Sequence, residues 1–311
     1  DTRTAHEEVT MTFGYGGTLF ILAFDHRGSL QKKLFGIEGA PGPRDAERIV
    51  DAKRLIFEGM ERALDAGIDA STAGVLVDEQ FGSQVARDAK QAGMILAMPA
   101  EKSGQDEFDL EYGSAFAAHI ESFDPTFAKV LVRYNPEGDG AMNGRQAARL
   151  KGLSEWLHRT DRRLLFELVV PAEPHQLERF GGDAGRYDTE LRPDLMRLAI
   201  AELQEAGVEP DIWKIEGIDD PAMCAAIAEQ CRLGGREGVG CVVLGRGADD
   251  AAVDAWLRAA REVPGYQGFA IGRSIWWKPL EAYIAGEMPR DEASKQVANN
   301  YRRFVAVYED R

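Results

Sequence analysis

A lysine in the middle of an apolar run is the side chain best suited to covalent chemistry in this sequence. Lys214 stands in the run DIWKIE, between Trp213 and Ile215. Burial favours the neutral amine, which can attack a carbonyl carbon and form a Schiff base. Two other arrangements would also explain a lysine here. The lysine could form an ion pair with a residue on a neighbouring strand, or it could lie at the rim of the sheet and extend its ammonium group into water. A second lysine, Lys129 in FAKVLVRY, favours the covalent role because a nearby cation also disfavours the ammonium form.

A glutamate in a second apolar run supplies a candidate for proton transfer. Glu167 lies between Phe166 and Leu168 in RLLFELVV. A carboxyl in such surroundings is predicted to have a raised pKa, which suits acid–base work near neutral pH. The alternative is a salt bridge to one of the two lysines, and that arrangement is compatible with the catalytic role.

Two glycine–arginine steps indicate a phosphate site. Gly245-Arg246-Gly247 and Gly272-Arg273-Ser274 end the last two apolar runs of the chain. In a barrel, the loops after strands seven and eight commonly bind phosphate with backbone N–H groups, a helix N-terminus and a charged clamp. Each tripeptide alone could equally be a turn with an exposed arginine.

Further polar residues follow the first two runs. Asp25 is predicted to orient a substrate hydroxyl or to hold a lysine in place. Alternatively, Asp25 and Arg27 could form an ion pair with each other that closes the end of the sheet at which both lie. Asp78 and Glu79 have no assigned role. The five histidines show no HxH or HExxH spacing, which argues against a metal-dependent enzyme, and we expect no metal or other cofactor.

Eight short apolar runs alternate with segments of helical period, and these elements must position the candidate residues. Runs that are apolar throughout are typical of strands buried on both faces of a parallel sheet. The predicted strands are Leu19–Asp25, Ala73–Asp78, Met94–Pro99, Phe127–Tyr134, Arg163–Val170, Asp211–Glu216, Gly240–Gly245 and Gln267–Gly272.

Eight β–α repeats predict the α/β class and a single (β/α)8 TIM barrel. A doubly wound open sheet is the competing architecture, but it usually has a glycine-rich turn after its first strand, where this chain has DHRG. We expect an N-terminal extension over residues 1–18 and the barrel over residues 19–311. The segments Gly36–Arg44 and Pro171–Arg192 are predicted to be loops, and loops of this length are candidates for part of a lid over the site.

Composition excludes several classes of protein. The 311 residues carry 37 basic and 52 acidic side chains, a net charge of −15 that would repel nucleic acid. No apolar run approaches the roughly 20 residues that cross a bilayer, and the N-terminus has no signal layout. Three cysteines without CxxC spacing indicate a reducing, cytoplasmic setting.

Several longer motifs support a resemblance to a known family. FILAFDHRGSLQKKLFG, AGVLVDEQFG, AMPAEKSGQDEFDLEYG, PDIWKIEG, CVVLGRG and GFAIGRS resemble the aldolase-like domain fused to 5-dehydro-2-deoxygluconokinase in bacterial inositol degradation. The resemblance runs from about Leu19 to Tyr308, without the kinase half. More distantly, AFDHRG, LLFELV, DIWKIE and GRS are similar to elements of class I tagatose-1,6-bisphosphate and sulfofructose-phosphate aldolases.

The resemblance implies roles for individual residues. It implies a (β/α)8 barrel with Lys214 as the Schiff-base lysine and Glu167 as the proton shuttle. Lys129 matches the strand-four lysine, which either takes part in catalysis or tunes Lys214, and Asp25 and Arg27 match the polar end of strand one. Arg273 matches the phosphate-clamping arginine. His26 departs from the glutamine that is common in the tagatose enzymes.

The resemblance therefore implies a metal-independent class I aldolase, a lyase. Its implied substrate is 2-deoxy-5-keto-gluconate 6-phosphate, which would give dihydroxyacetone phosphate and malonate semialdehyde. Arg273 and the backbone around Gly245–Gly247 and Gly272 would hold the phosphate, and Arg27 or Arg133 the carboxylate end. The alternatives are an aldolase for sulfofructose phosphate or tagatose bisphosphate, and a non-catalytic sugar-phosphate-binding domain. A small-molecule substrate and a homo-oligomer are expected, with neither a nucleic acid nor a membrane as partner.

Overall fold

The computed structural model describes residues 13–310. Eight parallel strands pair in chain order and close into a barrel, with the helices outside it. This confirms the predicted (β/α)8 TIM barrel and excludes the doubly wound sheet, which has two open edges. The strands are β1 (Leu19–Ala23), β2 (Ala73–Leu76), β3 (Ile95–Pro99), β4 (Phe127–Arg133), β5 (Arg163–Val169), β6 (Ile212–Glu216), β7 (Gly240–Leu244) and β8 (Tyr266–Ile271).

The helices that surround the strands bury an apolar stripe against the barrel. They are α1 (Gly28–Phe35), α2 (Pro43–Asp65), α3 (Glu79–Gln91), α4 (Phe116–Phe123), α5 (Gly140–Arg159), α6 (Pro174–Arg179), α7 (Ala184–Glu190), α8 (Arg192–Glu205), α9 (Pro221–Arg232), α10 (Asp250–Arg261), α11 (Arg273–Ile284) and α12 (Arg290–Glu309). No helix within residues 13–310 is both long and apolar enough to span a membrane.

The segment Pro171–Arg192 is not the irregular loop that its composition predicts. It contains the short helices α6 and α7 and the first residue of α8. The Asp183 side chain caps α7 by accepting hydrogen bonds from two backbone N–H groups, and buried Tyr187 donates to the carbonyl oxygen of Val170. Proline and aspartate therefore stand at the starts of helices here. Composition alone cannot distinguish such residues from the prolines and aspartates of an irregular loop.

Strand alternation explains why the candidate residues meet inside the barrel. Side chains two residues apart on a strand point to the same face. Phe127, Leu165 and Ile212 belong to the apolar cluster inside the barrel. Two residues further along β4, β5 and β6 come Lys129, Glu167 and Lys214, which therefore continue the inward-facing rows as polar groups. Glu167 and Lys214 are also direct register partners on adjacent strands.

The described residues before β1 contact the opposite end of the barrel. The Tyr15 ring packs on Phe127 with ring centroids 5.2 Å apart, and the backbone N–H of Gly14 donates to Asp211. Residues 1–12 of the predicted N-terminal extension lie outside the described residues, and its boundary at residue 18 stays a prediction.

A fully buried lysine on α2 connects the residues that follow β1 with the residues that follow β2. Lys53 Nζ donates to the backbone carbonyl oxygens of Phe24 and His26, and it forms a salt bridge with Asp78. Asp78 also caps α3 by accepting from the N–H of Phe81. This pair gives Asp78, which had no role from sequence, a structural one.

Replacing Lys53 with methionine should destabilise the protein by about 3–5 kcal/mol, the usual cost of leaving a buried charge without its partner. Chemical denaturation measures this loss. The double variant Lys53→Met/Asp78→Asn should recover part of it because no charge is then left uncompensated. A single variant as stable as wild type would contradict the assigned structural role.

Candidate active site

A cavity of about 590 Å³ opens at the carboxyl ends of the strands, where barrel enzymes have their active sites. All of the residues that the sequence analysis assigned to the site line this cavity, and they come from six different strands or the loops that follow them. They are Asp25, Arg27, Lys129, Arg133, Glu167, Lys214, Gly245, Arg246, Gly247, Gly272 and Arg273.

Lys214 and Glu167 form a buried ion pair at the base of the cavity. Lys214 Nζ donates to Glu167 Oε2 at 2.9 Å, and only 3% and 8% of the two side chains are exposed. An amine and a carboxylate in direct contact can exchange a proton without a bridging water. The arrangement places an amine that could serve as a nucleophile next to a carboxylate that could serve as its base.

Lys129 contacts three carboxyl groups. Its Nζ lies 2.9 Å from Asp25 Oδ2, 2.8 Å from Glu101 Oε1 and 3.1 Å from Glu167 Oε2. Burial alone would lower the pKa of Lys129, but the three carboxylates raise it well above its usual value. Lys129 is therefore a fixed cation that orients the carboxyls around it.

The predicted raised pKa of Glu167 is wrong. Burial does act to raise the pKa, but the charges of Lys129 and Lys214 outweigh it, so the pKa of Glu167 lies below its usual value. The pKa of Asp25 is also lowered: burial opposes this, and Lys129 is the main cause. Both groups are carboxylates at neutral pH, so Glu167 is ready to act first as a base.

His26 follows Asp25 and stays uncharged near neutral pH. Burial lowers the pKa of His26 to about 4, with Asp25 acting in the opposite direction. Its ring packs edge-on against Trp276 at a centroid distance of 5.3 Å. His26 therefore adds no positive charge to the site.

The two arginines considered for the carboxylate end of a substrate differ in their contacts. Arg27 Nη1 is 2.8 Å from Glu111 Oε2, and its Nη2 donates to the carbonyl oxygen of Glu101. The alternative in which Arg27 pairs with Asp25 is therefore wrong, because both terminal nitrogens of Arg27 have other partners. Arg133 donates from Nη1 to the Gln105 carbonyl oxygen.

The β7 and β8 ends bring Arg273 next to the glycine-rich turn. The turn enters the left-handed region at Arg246 (φ 51°) and Gly247 (φ 74°). The positive φ of Gly247 favours glycine, and a Cβ there would lie 2.8 Å from the Arg273 guanidinium carbon and displace the arginine from this position. Arg273 Nη2 donates to the Arg246 carbonyl oxygen, and no side chain caps the N-terminus of α11.

Arg246 is less available to a ligand than Arg273. Its Nε lies 3.0 Å from Glu216 Oε1, and its Nη1 lies 2.8 Å from Asp188 Oδ2. Arg192 stands 3.7 Å from the other Glu216 oxygen. Arg246 therefore links α7 and β6 to the turn, and Arg273 is the stronger candidate for an anion.

Sequence reasoning left Glu101 and Glu216 without a role, although both line the cavity. The position of each residue relative to its strand could have indicated that it lines the cavity. Glu101 lies two residues beyond the end of β3, as Asp25 does beyond β1, and Glu216 lies two residues after Lys214 on β6. Burial raises the pKa of both, although nearby cations act to lower it.

Glu79, which the sequence analysis left unassigned, lies outside this cluster. Glu79 contacts His119 Nδ1 at 2.9 Å, and Tyr112 stacks on the His119 ring. Within residues 13–310, no group of three or more His, Cys, Asp and Glu side chains is arranged to hold a metal ion.

Comparison with known proteins establishes the family. The chain belongs to DUF2090, a family described as uncharacterized protein conserved in bacteria, whose model matches residues 5–311. It is similar to the tagatose 1,6-diphosphate aldolases of three Listeria monocytogenes strains, with 25% identity over 207 residues. These matches cover 64% of this chain and 56% of the aldolases, so the chain spans little more than half the length of those relatives.

The fold is also that of a solved aldolase. A fructose-bisphosphate aldolase from Plasmodium falciparum, in complex with TRAP and a small-molecule inhibitor, superposes with a TM-score of 0.66. The superposition covers 94% of this chain and 91% of that one at 12% sequence identity. A likeness at this level of identity concerns the barrel alone.

Proposed function

We propose that this protein is a class I aldolase, which cleaves a phosphorylated keto sugar through a Schiff base on Lys214. The observation that carries the proposal is the buried contact between Lys214 Nζ and Glu167 Oε2 at the base of an open cavity. The similarity to the tagatose aldolases supports the same class of reaction.

Proton transfer between the two residues starts the reaction. Glu167, a carboxylate, accepts a proton from Lys214, and the neutral amine attacks the substrate ketone. The former carbonyl oxygen takes up the proton that the attacking nitrogen releases, which gives a neutral carbinolamine. The protonated Glu167 then gives its proton to the carbinolamine hydroxyl, which leaves as water, while the nitrogen lone pair forms the C=N bond of the iminium. Glu167 is thereby restored as a base.

The iminium weakens the C–C bond that is cleaved in the next step, because it can accept the electrons of that bond. Glu167 removes the proton of the hydroxyl on the carbon that becomes the aldehyde, and the C–C bond electrons move toward the iminium nitrogen. The resulting enamine takes a proton on carbon, and water hydrolyses it to release the ketone fragment and Lys214. Lys129 holds Glu167 at 3.1 Å and stabilises its negative charge during these steps, and Asp25, 2.9 Å from Lys129, holds that lysine in its protonated form.

The β7–β8 end of the cavity is the proposed phosphate site. Arg273, the amides of the Gly245–Gly247 turn and the N-terminus of α11 all favour an anion. Local positive charge of this kind is needed because the chain has a net charge of −15, which repels an anionic substrate at long range.

Arg273→Ala should raise the KM for a phosphorylated substrate about tenfold or more and change kcat much less. The arginine binds a group that does not react, so its loss weakens ground-state and transition-state binding alike. Steady-state kinetics measure the split between KM and kcat. Arg258→Ala, on the exposed side of α10, is the matched control, and an unchanged KM for Arg273→Ala would move the phosphate site elsewhere.

For the substrate we propose 2-deoxy-5-keto-gluconate 6-phosphate, split to dihydroxyacetone phosphate and malonate semialdehyde. The motifs from Leu19 to Tyr308 that resemble the aldolase-like domain support this choice. Tagatose 1,6-bisphosphate and sulfofructose phosphate are the alternatives within the same chemistry. Product analysis by mass spectrometry with each sugar decides among them, and turnover of only one of the other two would overturn the proposed substrate.

A further inference from the structure

The turn after β7 has a backbone conformation that its sequence does not favour. The backbone N–H of Ala248 donates to the carbonyl oxygen of Gly245 at 2.9 Å, which closes a four-residue turn. Its central residues, Arg246 and Gly247, both have positive φ, at 51° and 74°, the pattern of a type I′ turn. Glycine, asparagine and aspartate dominate such positions, because a Cβ crowds the backbone in the left-handed region.

Arg246 is an exception among the residues that adopt this conformation. The three other non-glycine residues with positive φ within residues 13–310 are all aspartates, a residue type that tolerates the left-handed region. A residue held in an unfavourable backbone conformation persists only when its surroundings stabilise it, and such residues cluster at functional sites. Arg246 therefore needs a compensating interaction, and its side chain supplies two.

Two carboxylates hold the Arg246 side chain, and each is itself anchored. Arg246 Nε lies 3.0 Å from Glu216 Oε1 on β6, and Arg246 Nη1 donates to Asp188 Oδ2 on α7 at 2.8 Å. The second oxygen of Glu216 accepts from the N–H of Val170 at 3.0 Å, and the second oxygen of Asp188 accepts from Arg192 Nε at 3.0 Å. The guanidinium is therefore fixed from two different elements of the fold.

The constrained backbone of Arg246 holds Arg273. Arg273 Nη2 donates to the Arg246 carbonyl oxygen at 2.6 Å, and the Arg273 guanidinium packs on Gly247, the next residue of the turn. Ser274 Oγ donates to the Ala248 carbonyl oxygen at 2.9 Å, which joins the end of the turn to the start of α11. Within residues 13–310, Arg273 forms no salt bridge, so its position depends on this turn.

Direct binding of a phosphate by the Arg246 guanidinium is the alternative role. Arg246 lines the cavity and 36% of its side chain is exposed. However, a phosphate at this guanidinium would lie beside the carboxylates of Glu216 and Asp188, which occupy its Nε and Nη1. The contacts therefore favour an effect of Arg246 through its backbone.

We propose that Arg246 is a positioning residue for the phosphate site. Its contacts with Glu216 and Asp188 hold its backbone in the left-handed region, and its carbonyl oxygen thereby holds Arg273 in place for the phosphate group of the substrate. This inference rests on the proposed function, because Arg273 is the proposed phosphate ligand. It also gives α7 a role in substrate binding, although Asp188 does not line the cavity.

Calorimetry with glycerol 3-phosphate tests the proposal, because this phosphate monoester has no carbonyl group and binds without a Schiff base. Arg246→Ala loses both side-chain contacts but keeps a Cβ, and the left-handed region disfavours such a residue by about five- to thirtyfold. Its affinity should therefore fall about tenfold. Arg246→Gly loses the same contacts but adopts the turn freely, so its affinity should stay within about threefold of wild type.

Two substitutions on α7 test the contribution of that helix. Asp188→Asn weakens one of the two contacts that hold Arg246, so the affinity for glycerol 3-phosphate should fall by about two- to fivefold. Glu190→Gln is the matched control, since Glu190 lies on the same helix and pairs with Arg186. Its affinity should equal that of wild type, and an equal loss in both variants would contradict the role of Asp188.

The remaining outcomes of the calorimetry overturn the proposal. Equal losses in Arg246→Ala and Arg246→Gly would mean that the guanidinium itself binds the phosphate. Wild-type affinity in Arg246→Ala would mean that the turn needs no support from the side chain. If glycerol 3-phosphate does not bind the wild-type protein, there is no phosphate site for the turn to position.

A second measurement follows Arg273 itself. In ¹⁵N-labelled protein, the Nε–Hε signal of Arg273, assigned with Arg273→Lys, should be sharp in wild type and in Arg246→Gly, and broadened or shifted in Arg246→Ala. An identical signal in all three proteins would overturn the proposal. Failure of the proposed aldolase function gives a different result, namely no borohydride-dependent adduct on Lys214, and both measurements on the turn then still decide the role of Arg246.

Discussion

Replacing Lys214 with methionine should remove essentially all aldol cleavage while leaving the barrel folded. Methionine keeps most of the side-chain volume inside the barrel but cannot form a covalent bond with a ketone. Glu167 keeps its contact with Lys129 at 3.1 Å in this variant, so no buried charge is left without a partner. Turnover assays together with circular dichroism and thermal unfolding measure both parts of this expectation.

Lys278→Met serves as the control, because Lys278 is an exposed lysine on α11. It should retain wild-type turnover. Activity in Lys214→Met within about tenfold of wild type would rule out the covalent role of Lys214, and a loss of the folded state would require Lys214→Arg to separate chemistry from packing.

Glu167→Gln should slow turnover by about 10²–10⁴-fold, the range for loss of a general acid–base group. Glutamine fits the same space and still accepts a hydrogen bond, but it takes no proton from Lys214 or from the substrate hydroxyl. The effect should fall mainly on kcat, because the lost interaction belongs to the proton-transfer steps. Steady-state kinetics measure this change.

Two comparisons show whether the effect comes from proton transfer. Glu155→Gln removes an exposed carboxylate that lies 3.8 Å from Arg159 on α5, and its kinetics should match wild type. Glu167→Asp keeps the charge and should retain more activity than Glu167→Gln. A decrease of less than tenfold in Glu167→Gln would leave Glu167 as an ion-pair partner of the lysines only.

Much of the fold follows from local sequence patterns. Apolar runs of six to eight residues, such as those around Lys129, Glu167 and Lys214, predict buried parallel strands, and the closed barrel contains a strand at each of them. The helices of Pro171–Arg192 were harder to predict. One begins at Pro174 and the next is capped by Asp183, and both residue types are also common in loops. Whether such a residue starts a helix or lies in a loop depends on tertiary contacts such as the burial of Tyr187.

The candidate site could likewise be predicted from the sequence only in part. Strand position alone indicated that Lys214, Glu167 and Arg273 would line one cavity, because the carboxyl ends of all strands meet at one face of a barrel. The direction of the pKa shift of Glu167 depended on how close two cations would come, and sequence gives no distances. Lys53 was detectable in principle as a charged residue between Ile49 and Ile56 on the apolar face of α2.

The most direct test of the Schiff-base proposal is peptide mass spectrometry after incubation with dihydroxyacetone phosphate and borohydride. We predict a reduced adduct on the peptide that contains Lys214, and none in Lys214→Met. Binding of dihydroxyacetone phosphate by thermal shift without any adduct would contradict the proposal and favour a non-catalytic sugar-phosphate-binding protein. An adduct on a different lysine would retain the class of reaction and contradict the assignment of Lys214.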